Sequence, residues 1–560
     1  MKKVWTLLSF IVLLASVLRL HDLGNTPNAL EWDEVAIGYD AFSLLHTGRD
    51  QFGTLLPLTF RSLDDYKPPI YEYITVPSIA VFGLTPFAVR LPSAVSGILM
   101  VLLLFYFTKF ILMQIPACRK YCIKGALLAT FFLAVSPWHI QFSRAAFEVN
   151  VAATITLFAL YFFIRGLYEN RYFVLSTVFF GLDLFSYHSA RVVAPLLLLT
   201  LILIFNRNLP SKKIVLSHLL IFGLFLMTVF PILISKDAQI RFRATNIFKP
   251  ATRYLDDIDL EKVFLEKRLL DTKAGFPLAG KIYHNQRLVY SDYETLKKAF
   301  KNYLSNFGFE YLFIKGDAPL HHAPNFGMFH IFEFPFLLVG FLFILFKGFN
   351  RYSLFLFCWL LIAPIPNAVT REAPHSVRTL LILPAYQIII AIGLIFIYSK
   401  AIYQRRWVYL PFFIFISSVF IVNNSNYLHQ YYVHTNFDVA ANWKYGRDQA
   451  VAYTESVKHN YDSVLVSLSV DMPYIFWLFY SKFPAEVYLK SGGTVSGGFA
   501  EESNKFDKYE FRNFKIKELI NKRKLLLVGT PLDFPTGTHF IHTIYNPDGT
   551  IALLFASNSL

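Results

Sequence analysis

The chain has 560 residues, of which 55% are hydrophobic and only 16% charged, and its formal net charge is +15. Soluble globular proteins carry about 25% charged residues, so this composition excludes an ordinary soluble protein and indicates a membrane protein. The excess of lysine and arginine is interpreted as a topology signal. Because no basic motif of the kind that reads RNA or DNA occurs, no nucleic-acid partner is expected.

The first apolar run comes after two lysines at the N-terminus, as in a signal peptide. No small-x-small cleavage site precedes the polar residues Arg19 to Asp22, so the run is interpreted as an uncleaved membrane span. Further runs long enough to cross about 30 Å of hydrocarbon occur along three quarters of the chain. The eleven predicted spans are 4–20, 86–112, 125–142, 148–165, 172–189, 192–206, 214–235, 327–347, 352–368, 378–399 and 407–422.

The loops between these spans alternate in charge. The five short loops on one side, together with Lys2 and Lys3, carry fifteen basic residues against one acid, Glu169. The loop 21–69 on the other side carries eight acids against three basic residues. Because lysine and arginine concentrate in cytoplasmic loops, we predict a multi-pass protein of the plasma (inner) membrane with a cytoplasmic N-terminus and an outside C-terminus.

Three polar regions then face outward. Two are the loops 21–70 and 236–326 within a transmembrane domain of residues 1–422. The third is the tail 423–560, in which the strand-like runs Ser463–Val466 and Leu525–Val528 alternate with helical patterns, and Asn546–Gly549 is typical of a hairpin turn. The predicted fold is a polytopic α-helical membrane protein with about 11 transmembrane helices and a C-terminal extracytoplasmic α/β domain.

The first outer loop carries two adjacent acids, Asp33 and Glu34, in the stretch Leu30–Phe42. Neighbouring side chains on a helix point about 100° apart, so the two carboxylates are able to have different roles, one accepting a proton and one orienting a second group. The alternative interpretation is that both are solvated acids that keep this loop outside.

The same loop ends in Lys67-Pro68-Pro69. A proline restricts the residue before it to an extended conformation, and the paired prolines stiffen the start of the next segment. The pattern is compatible with an ammonium held rigidly towards an anion, and equally with an ordinary loop end.

Further cations occur at the outer ends of later spans. Arg144 and Glu148 come after the third span, four residues apart, and would share a face of one helix either as a plain ion pair or as a phosphate ligand and a second acid. The remaining cations are His188 and Arg191 after the fifth span, and Arg371, His375 and Arg378 before the tenth. Each arginine alone is typical of an interface anchor, but together they gather positive charge on the face that carries the acids.

In their order and topology these motifs resemble the GT-C membrane glycosyltransferases, in particular glycosyltransferase family 39 with its protein O-mannosyltransferases and aminoarabinose transferases. The elements that carry the resemblance are the outer acidic pair Asp33-Glu34, the lysine before paired prolines at Lys67, and the Arg-x-x-x-acid element of Arg144 and Glu148. The resemblance covers residues 1–235 best. It implies an enzyme that moves a sugar from a polyprenyl-phosphate carrier to an acceptor on the outer face. The second acid here is Glu, where protein mannosyltransferases tend to have Asp.

The chemistry suits these residues, because a lipid phosphate leaves with added negative charge that lysine or arginine stabilises, while the acceptor hydroxyl needs a base. We therefore predict Asp33, supported by Glu34, as the general base of an inverting transfer to a lipid, glycan or protein hydroxyl. The other predicted site residues are Glu148 as a further catalytic acid, Lys67, Arg144, Arg191 and Arg378 as phosphate ligands, and Tyr39, His188 and His375 as additional candidates.

Other interpretations of the sequence remain open. A polysaccharide polymerase or oligosaccharyltransferase shares the outward layout, although the Trp-Trp-Asp signature of the latter is absent. A lipid or solute transporter would instead bury its ionisable groups near the midplane and show repeats. No cofactor is required by the motifs; a divalent cation could bind the acids, but a full set of oxygen ligands is not evident. Besides the donor, the expected partners are membrane lipids and an acceptor whose identity stays open, as does the sugar.

Overall fold

The computed structural model describes residues 2–62, 65–235, 245–248, 265–278, 287–401, 406–495, 504–514 and 523–558. The helices before the second outer loop are α1 Lys2–Leu20, α2 Trp32–Thr47, α3 Ile70–Phe82, α4 Pro86–Gln114, α5 Pro116–Arg119, α6 Cys122–Val135, α7 Pro137–Arg144, α8 Glu148–Gly166, α9 Arg171–Asp183, α10 Ala190–Ile204 and α11 Lys212–Ile234. The helices from Arg287 onward are α12 Arg287–Ser305, α13 Phe334–Lys347, α14 Arg351–Ile362, α15 Ile365–Ala368, α16 Ser376–Thr379, α17 Leu383–Ala401, α18 Arg406–His429, α19 Thr435–Asp438, α20 Arg447–Val457, α21 Pro473–Tyr480 and α22 Ala485–Lys490.

Several of these helices are long and apolar enough to cross a membrane. Six qualify within the described residues, and α6 with α7 makes a seventh if the bent pair is one span. The predicted spans 172–189, 192–206 and 327–347 correspond to the shorter helices α9, α10 and α13. The chain is thus a mostly helical integral membrane protein, and the total of eleven spans stays a prediction. Residues 236–244, 249–264 and 279–286 of the predicted outer loop 236–326 lie outside the described residues.

The bend between α6 and α7 determines where the outer end of the third predicted span lies. Ser136 has an extended backbone and caps α7, whose first residue is Pro137. Proline suits the first position of a helix, where its missing N–H has no helical partner to lose. Helix α6 ends at Val135, and the chain turns by 55° before α7. Helix α7 therefore leaves the direction of α6, and it ends at Arg144.

The first outer loop folds into two elements that carry the predicted site residues. Helix α2 contains both adjacent acids. Strands β1, Phe60–Ser62, and β2, Asp65–Lys67, form an antiparallel pair in which Phe60 faces Lys67. The predicted extended conformation before Pro68 is confirmed, since Lys67 is the last residue of β2.

The tail forms a six-stranded mixed sheet. Its strands are β3 Ser463–Val466, β4 Asn504–Phe506, β5 Tyr509–Phe511, β6 Leu525–Gly529, β7 Phe540–Tyr545 and β8 Ile551–Ser557, in the order β4-β5-β3-β6-β8-β7. Strand β3 is parallel to both β5 and β6, and β7 pairs with β8 antiparallel across the predicted hairpin turn. The predicted strands and hairpin are confirmed.

The tail packs directly against α2, the helix of the acidic pair. Gly38 approaches Phe479 of α21 so closely that an added Cβ would lie 2.5 Å from the phenyl ring, and 2.7 Å from Val89 of α4 on the other side. The Tyr39 hydroxyl donates a hydrogen bond to the Phe483 carbonyl at 3.0 Å. Helix α2 is therefore held between the membrane helix α4 and the tail helix α21.

Candidate active site

Three charged side chains from separate parts of the chain meet in one place. The Lys67 ammonium lies 2.8 Å from Asp33 Oδ1 and 3.9 Å from Glu148 Oε1. The lysine side chain is 2% exposed and Glu148 12%, whereas Asp33 keeps 48% of its surface open. The predicted acids and the predicted lysine thus converge, with one carboxylate accessible and one enclosed.

The local structure explains why these side chains are held there. Glu31 caps α2, accepting a hydrogen bond from the Asp33 amide at 2.9 Å, which fixes Asp33 in the first turn. Glu148 is the first residue of α8, where the positive end of the helix dipole favours a carboxylate. Lys67 is held by the β1–β2 pair and by the prolines after it.

A fourth ionisable residue in this group was not identified from the sequence. Glu72, in the first turn of α3 and 1% exposed, acts electrostatically on Lys67. Burial lowers the pKa of Lys67, but Asp33, Glu148 and Glu72 raise it by more, so the pKa stays above its usual value and the ammonium remains charged. An isolated glutamate in an apolar run, five residues after the lysine, was the signal that could have found it.

Glu34, the neighbour of Asp33, points into the protein. Its carboxylate accepts two hydrogen bonds from the Arg90 guanidinium, both at 2.9 Å, and one from the Ala146 amide at 2.8 Å. Arg90 is fully buried and also donates to the carbonyls of Leu23, Pro27 and Ala29. The two adjacent acids therefore have different surroundings, since Asp33 is half exposed and Glu34 is buried. Glu34 joins the first outer loop to α4 and to the start of α8.

Arg144 is buried and turned towards the backbone. Its guanidinium donates to the carbonyls of Leu18, His21, Asp22 and Thr26, at 2.7–3.3 Å. The expectation that Arg144 and Glu148 share a face of one helix is wrong, because α7 ends at Arg144 and α8 begins at Glu148. Ala145 and Phe147 are extended between them, which breaks the helix. Contact of Arg144 with a phosphate stays a prediction.

His188 and Arg191 lie beside the strand that carries the lysine. His188 Nε2 is 3.7 Å from Asp65 of β2. Arg191 Nη1 is 3.3 Å from His188 Nδ1, and its Nε donates to the Leu184 carbonyl. The pair therefore neighbours Lys67 through β2, and its role as a phosphate ligand stays a prediction.

His375 and Arg378 belong to a different group of side chains. Both lie 3.6 Å from Glu372, and Arg378 also donates to the Thr370 hydroxyl at 3.0 Å. His375 stands 4.9 Å, ring centre to ring centre, from His321. Tyr39, the remaining candidate, faces the tail through its bond to Phe483.

The carboxylates around Lys67 do not present an evident cation cage. A divalent cation needs several oxygen ligands around a shared centre, and the Lys67 ammonium stands in the space between Asp33 and Glu148. Contact of the Lys67 ammonium with a donor phosphate stays a prediction.

Comparisons with known proteins identify what the chain is similar to. Residues 66–234 match the family described as dolichyl-phosphate-mannose-protein mannosyltransferase. No curated protein matches the chain.

Similar folds occur among solved structures. The apo structure of ArnT from Cupriavidus metallidurans matches with a TM-score of 0.52 and 11% identity, over 98% of this chain and 97% of that one. The structure of that protein bound to undecaprenyl phosphate gives 0.51 and 13%, with the same coverage. The apo oligosaccharyltransferase of Archaeoglobus fulgidus gives 0.47 and 13%, over 85% of this chain and 63% of that one.

The family match and the shared fold together bear on the sequence interpretation. The matched stretch contains Lys67, Arg144 and Glu148, which carried most of the resemblance. The resemblance to GT-C glycosyltransferases of the family 39 type is confirmed, and with it the prediction of a glycosyltransferase.

Proposed function

We propose that this integral membrane protein with a GT-C fold transfers a sugar from a polyprenyl-phosphate donor to an acceptor hydroxyl at the outer membrane face, with inversion. The observation that carries the proposal is the Lys67 ammonium standing between an accessible carboxylate, Asp33, and an enclosed one, Glu148. The undecaprenyl phosphate bound to ArnT supports the class of donor.

The charge of the loops indicates the side on which the reaction occurs. The basic loops would lie in the cytoplasm, which assigns Asp33, Lys67 and the tail to the exoplasmic side of the plasma (inner) membrane. A donor phosphate sits at headgroup height, which is where a lysine at the end of an outer loop meets it.

Lys67 is assigned to the leaving group. When the bond between the anomeric carbon and the phosphate oxygen breaks, negative charge develops on the phosphate, and a buried ammonium stabilises that charge more than water does. The paired prolines after Lys67 keep it from moving with the departing group. Loss of the ammonium should therefore affect both donor binding and rate.

Asp33 is assigned to the acceptor. One of its oxygens contacts Lys67, and the half-exposed carboxylate leaves the other available to accept a hydroxyl proton. The acceptor oxygen then forms its bond on the face opposite the departing phosphate, which inverts the anomeric centre in one displacement. Glu148, enclosed at the start of α8, holds Lys67 in place and is the second acid in contact with it.

The test uses purified protein in lipid nanodiscs with a panel of undecaprenyl-phosphate-linked pentoses and hexoses and an envelope extract as acceptor. Asp33→Asn should lower sugar transfer at least about 100-fold, as expected for loss of a general base, while binding of undecaprenyl phosphate is retained. Lys67→Gln should weaken that binding about tenfold or more. Asp438→Asn, an exposed acid before the tail sheet, serves as the matched control and should transfer at the wild-type rate.

Two outcomes would overturn the proposal. Transfer by Asp33→Asn at nearly the wild-type rate would remove the assigned base. Movement of the intact donor lipid between leaflets, with no cleavage of the sugar–phosphate bond by the wild-type protein, would replace the glycosyltransferase with the transporter interpretation.

A further inference from the structure

A second cluster of polar side chains lies outside the group around Lys67. Asp317 and His321 precede α13, and His375 immediately precedes α16. One ligand atom from each of the three side chains lies within 4.8 Å of the other two. The cluster joins two segments that are far apart in the chain, and neither the family match nor the proposed reaction uses it.

The three side chains are enclosed and close to one another. Asp317 is 7% exposed, His321 11% and His375 16%. Asp317 Oδ2 lies 2.9 Å from His321 Nδ1, and the rings of His321 and His375 are tilted by 44° with their centres 4.9 Å apart. Two imidazoles and a carboxylate that converge away from water form the donor set that zinc prefers.

The carboxylate is also held in place from behind. Asp317 accepts hydrogen bonds from the Ser376 amide at 2.7 Å and from the Ser376 hydroxyl at 2.9 and 3.0 Å. Hydrogen bonds of this kind orient a metal-binding carboxylate and are typical of metal sites in proteins. Ser376 is the residue after His375, so the segment that supplies one imidazole also fixes the carboxylate.

We propose that Asp317, His321 and His375 bind one Zn²⁺ ion that fastens the segment before α13 to the loop before α16. With bonds of about 2.0–2.1 Å, the three ligand atoms would draw in to about 3.3 Å from one another. A water molecule, or Glu372, whose carboxylate lies 3.6 Å from His375 Nε2, completes the coordination. The site is structural and does not depend on the proposed glycosyl transfer.

The experiment measures zinc itself. The full-length protein in detergent is stripped with chelator, equilibrated with ZnCl₂, freed of unbound metal and analysed for metal content and thermal unfolding. One zinc per chain is expected, together with a higher unfolding midpoint. Asp317→Asn and His321→Ala should each weaken zinc binding at least about tenfold, whereas His459→Ala, an exposed histidine of the tail, should retain it.

A second measurement needs no variant. Co²⁺ added to the stripped wild-type protein should give the visible absorption of a four- or five-coordinate site with nitrogen and oxygen ligands, and Zn²⁺ should displace it. Absence of stoichiometric zinc in the wild type, or equal zinc in Asp317→Asn and the wild type, would overturn the proposal. In that case the cluster is an ion pair that shares a proton.

Discussion

The adjacent acids Asp33 and Glu34 should respond in opposite ways to the same chemical change. Replacing Glu34 by Gln removes the negative charge that faces Arg90, which is fully buried. Replacing Asp33 by Asn removes a charge from a side chain that is half open to solvent. We expect Glu34→Gln to lose stability and Asp33→Asn to lose activity.

The size of the stability effect depends on burial. Removing one partner of a buried ion pair leaves an uncompensated charge and costs about 3–5 kcal/mol, and Glu34 is 4% exposed while Arg90 is 0%. A cost of about 3 kcal/mol lowers the folded-to-unfolded ratio by about 100-fold. For Asp33→Asn the expected cost is about 1 kcal/mol, because Asp33 is half exposed and Lys67 keeps Glu148 beside it.

Thermal unfolding in detergent, monitored by intrinsic fluorescence, measures this difference on the purified variants. A double-mutant cycle adds Arg90→Met alone and combined with Glu34→Gln. The double variant should be less destabilised than the sum of the two single changes, since removing both partners leaves no buried charge. Arg90 also serves three carbonyls, so full recovery is not expected.

Two results would refute this reasoning. If Glu34→Gln unfolds at the wild-type midpoint and instead loses transfer, Glu34 belongs to the chemistry rather than to the scaffold. If the cycle gives additive effects, the two side chains do not depend on each other, and the assigned cause of the instability is wrong.

Three further predictions concern other parts of the molecule. Burial and the nearby Asp50 raise the pKa of Asp40 to about 8, above the unfolded value of about 3.9. The folding free energy should therefore become less favourable as pH rises from about 4 to 8, by up to about 1.4 kcal/mol per pH unit. Thermal unfolding of Asp40→Asn at pH 5 and 8 should lack this pH dependence. Burial and the neighbouring Glu148 raise the pKa of Glu72, so Glu72→Gln should tighten undecaprenyl phosphate binding about three- to tenfold only at a pH high enough to ionise Glu72 in the wild type; equal binding by the two proteins across a pH titration would contradict this. Gly340→Val should destabilise the protein by several kcal/mol, because a Cβ there would overlap the backbone of α17, whereas Gly223→Val, with open space around it, should unfold like the wild type.

The sequence predicted the elements of the site better than the direction of its side chains. Local rules were sufficient for Lys67, because the proline after it restricts its backbone whatever the rest of the chain does. They were also sufficient for the difference between Asp33 and Glu34, since neighbours on a helix diverge. Which of the two points inward depends on Arg90, which is 56 residues away from Glu34, and local sequence carries no information about that contact.

Arg144 illustrates the limit more sharply. The spacing of Arg144 and Glu148 suggested one helix and a ligand for phosphate, but the chain is extended at Ala145 and Phe147, and the guanidinium turns to four carbonyls near the end of α1. One of them, the Leu18 carbonyl, lies in the last turn of α1, where carbonyls have no partner within the helix. An arginine near the end of a span can donate to backbone carbonyls or to a bound anion, and the sequence does not distinguish these two roles.

The internal hydrogen bonds of Arg90 and Arg144 limit which donor the site is able to bind. Arg90 and Arg144 make their hydrogen bonds within the protein. Lys67 is the cation that lies near the acids Asp33, Glu148 and Glu72. A polyprenyl-phosphate sugar is a phosphodiester with a single negative charge. A diphosphate-linked donor brings a second charge into a group that already holds three carboxylates, and like charges in a poorly hydrated site repel strongly. The arrangement of charges therefore favours a monophosphate donor over a diphosphate one.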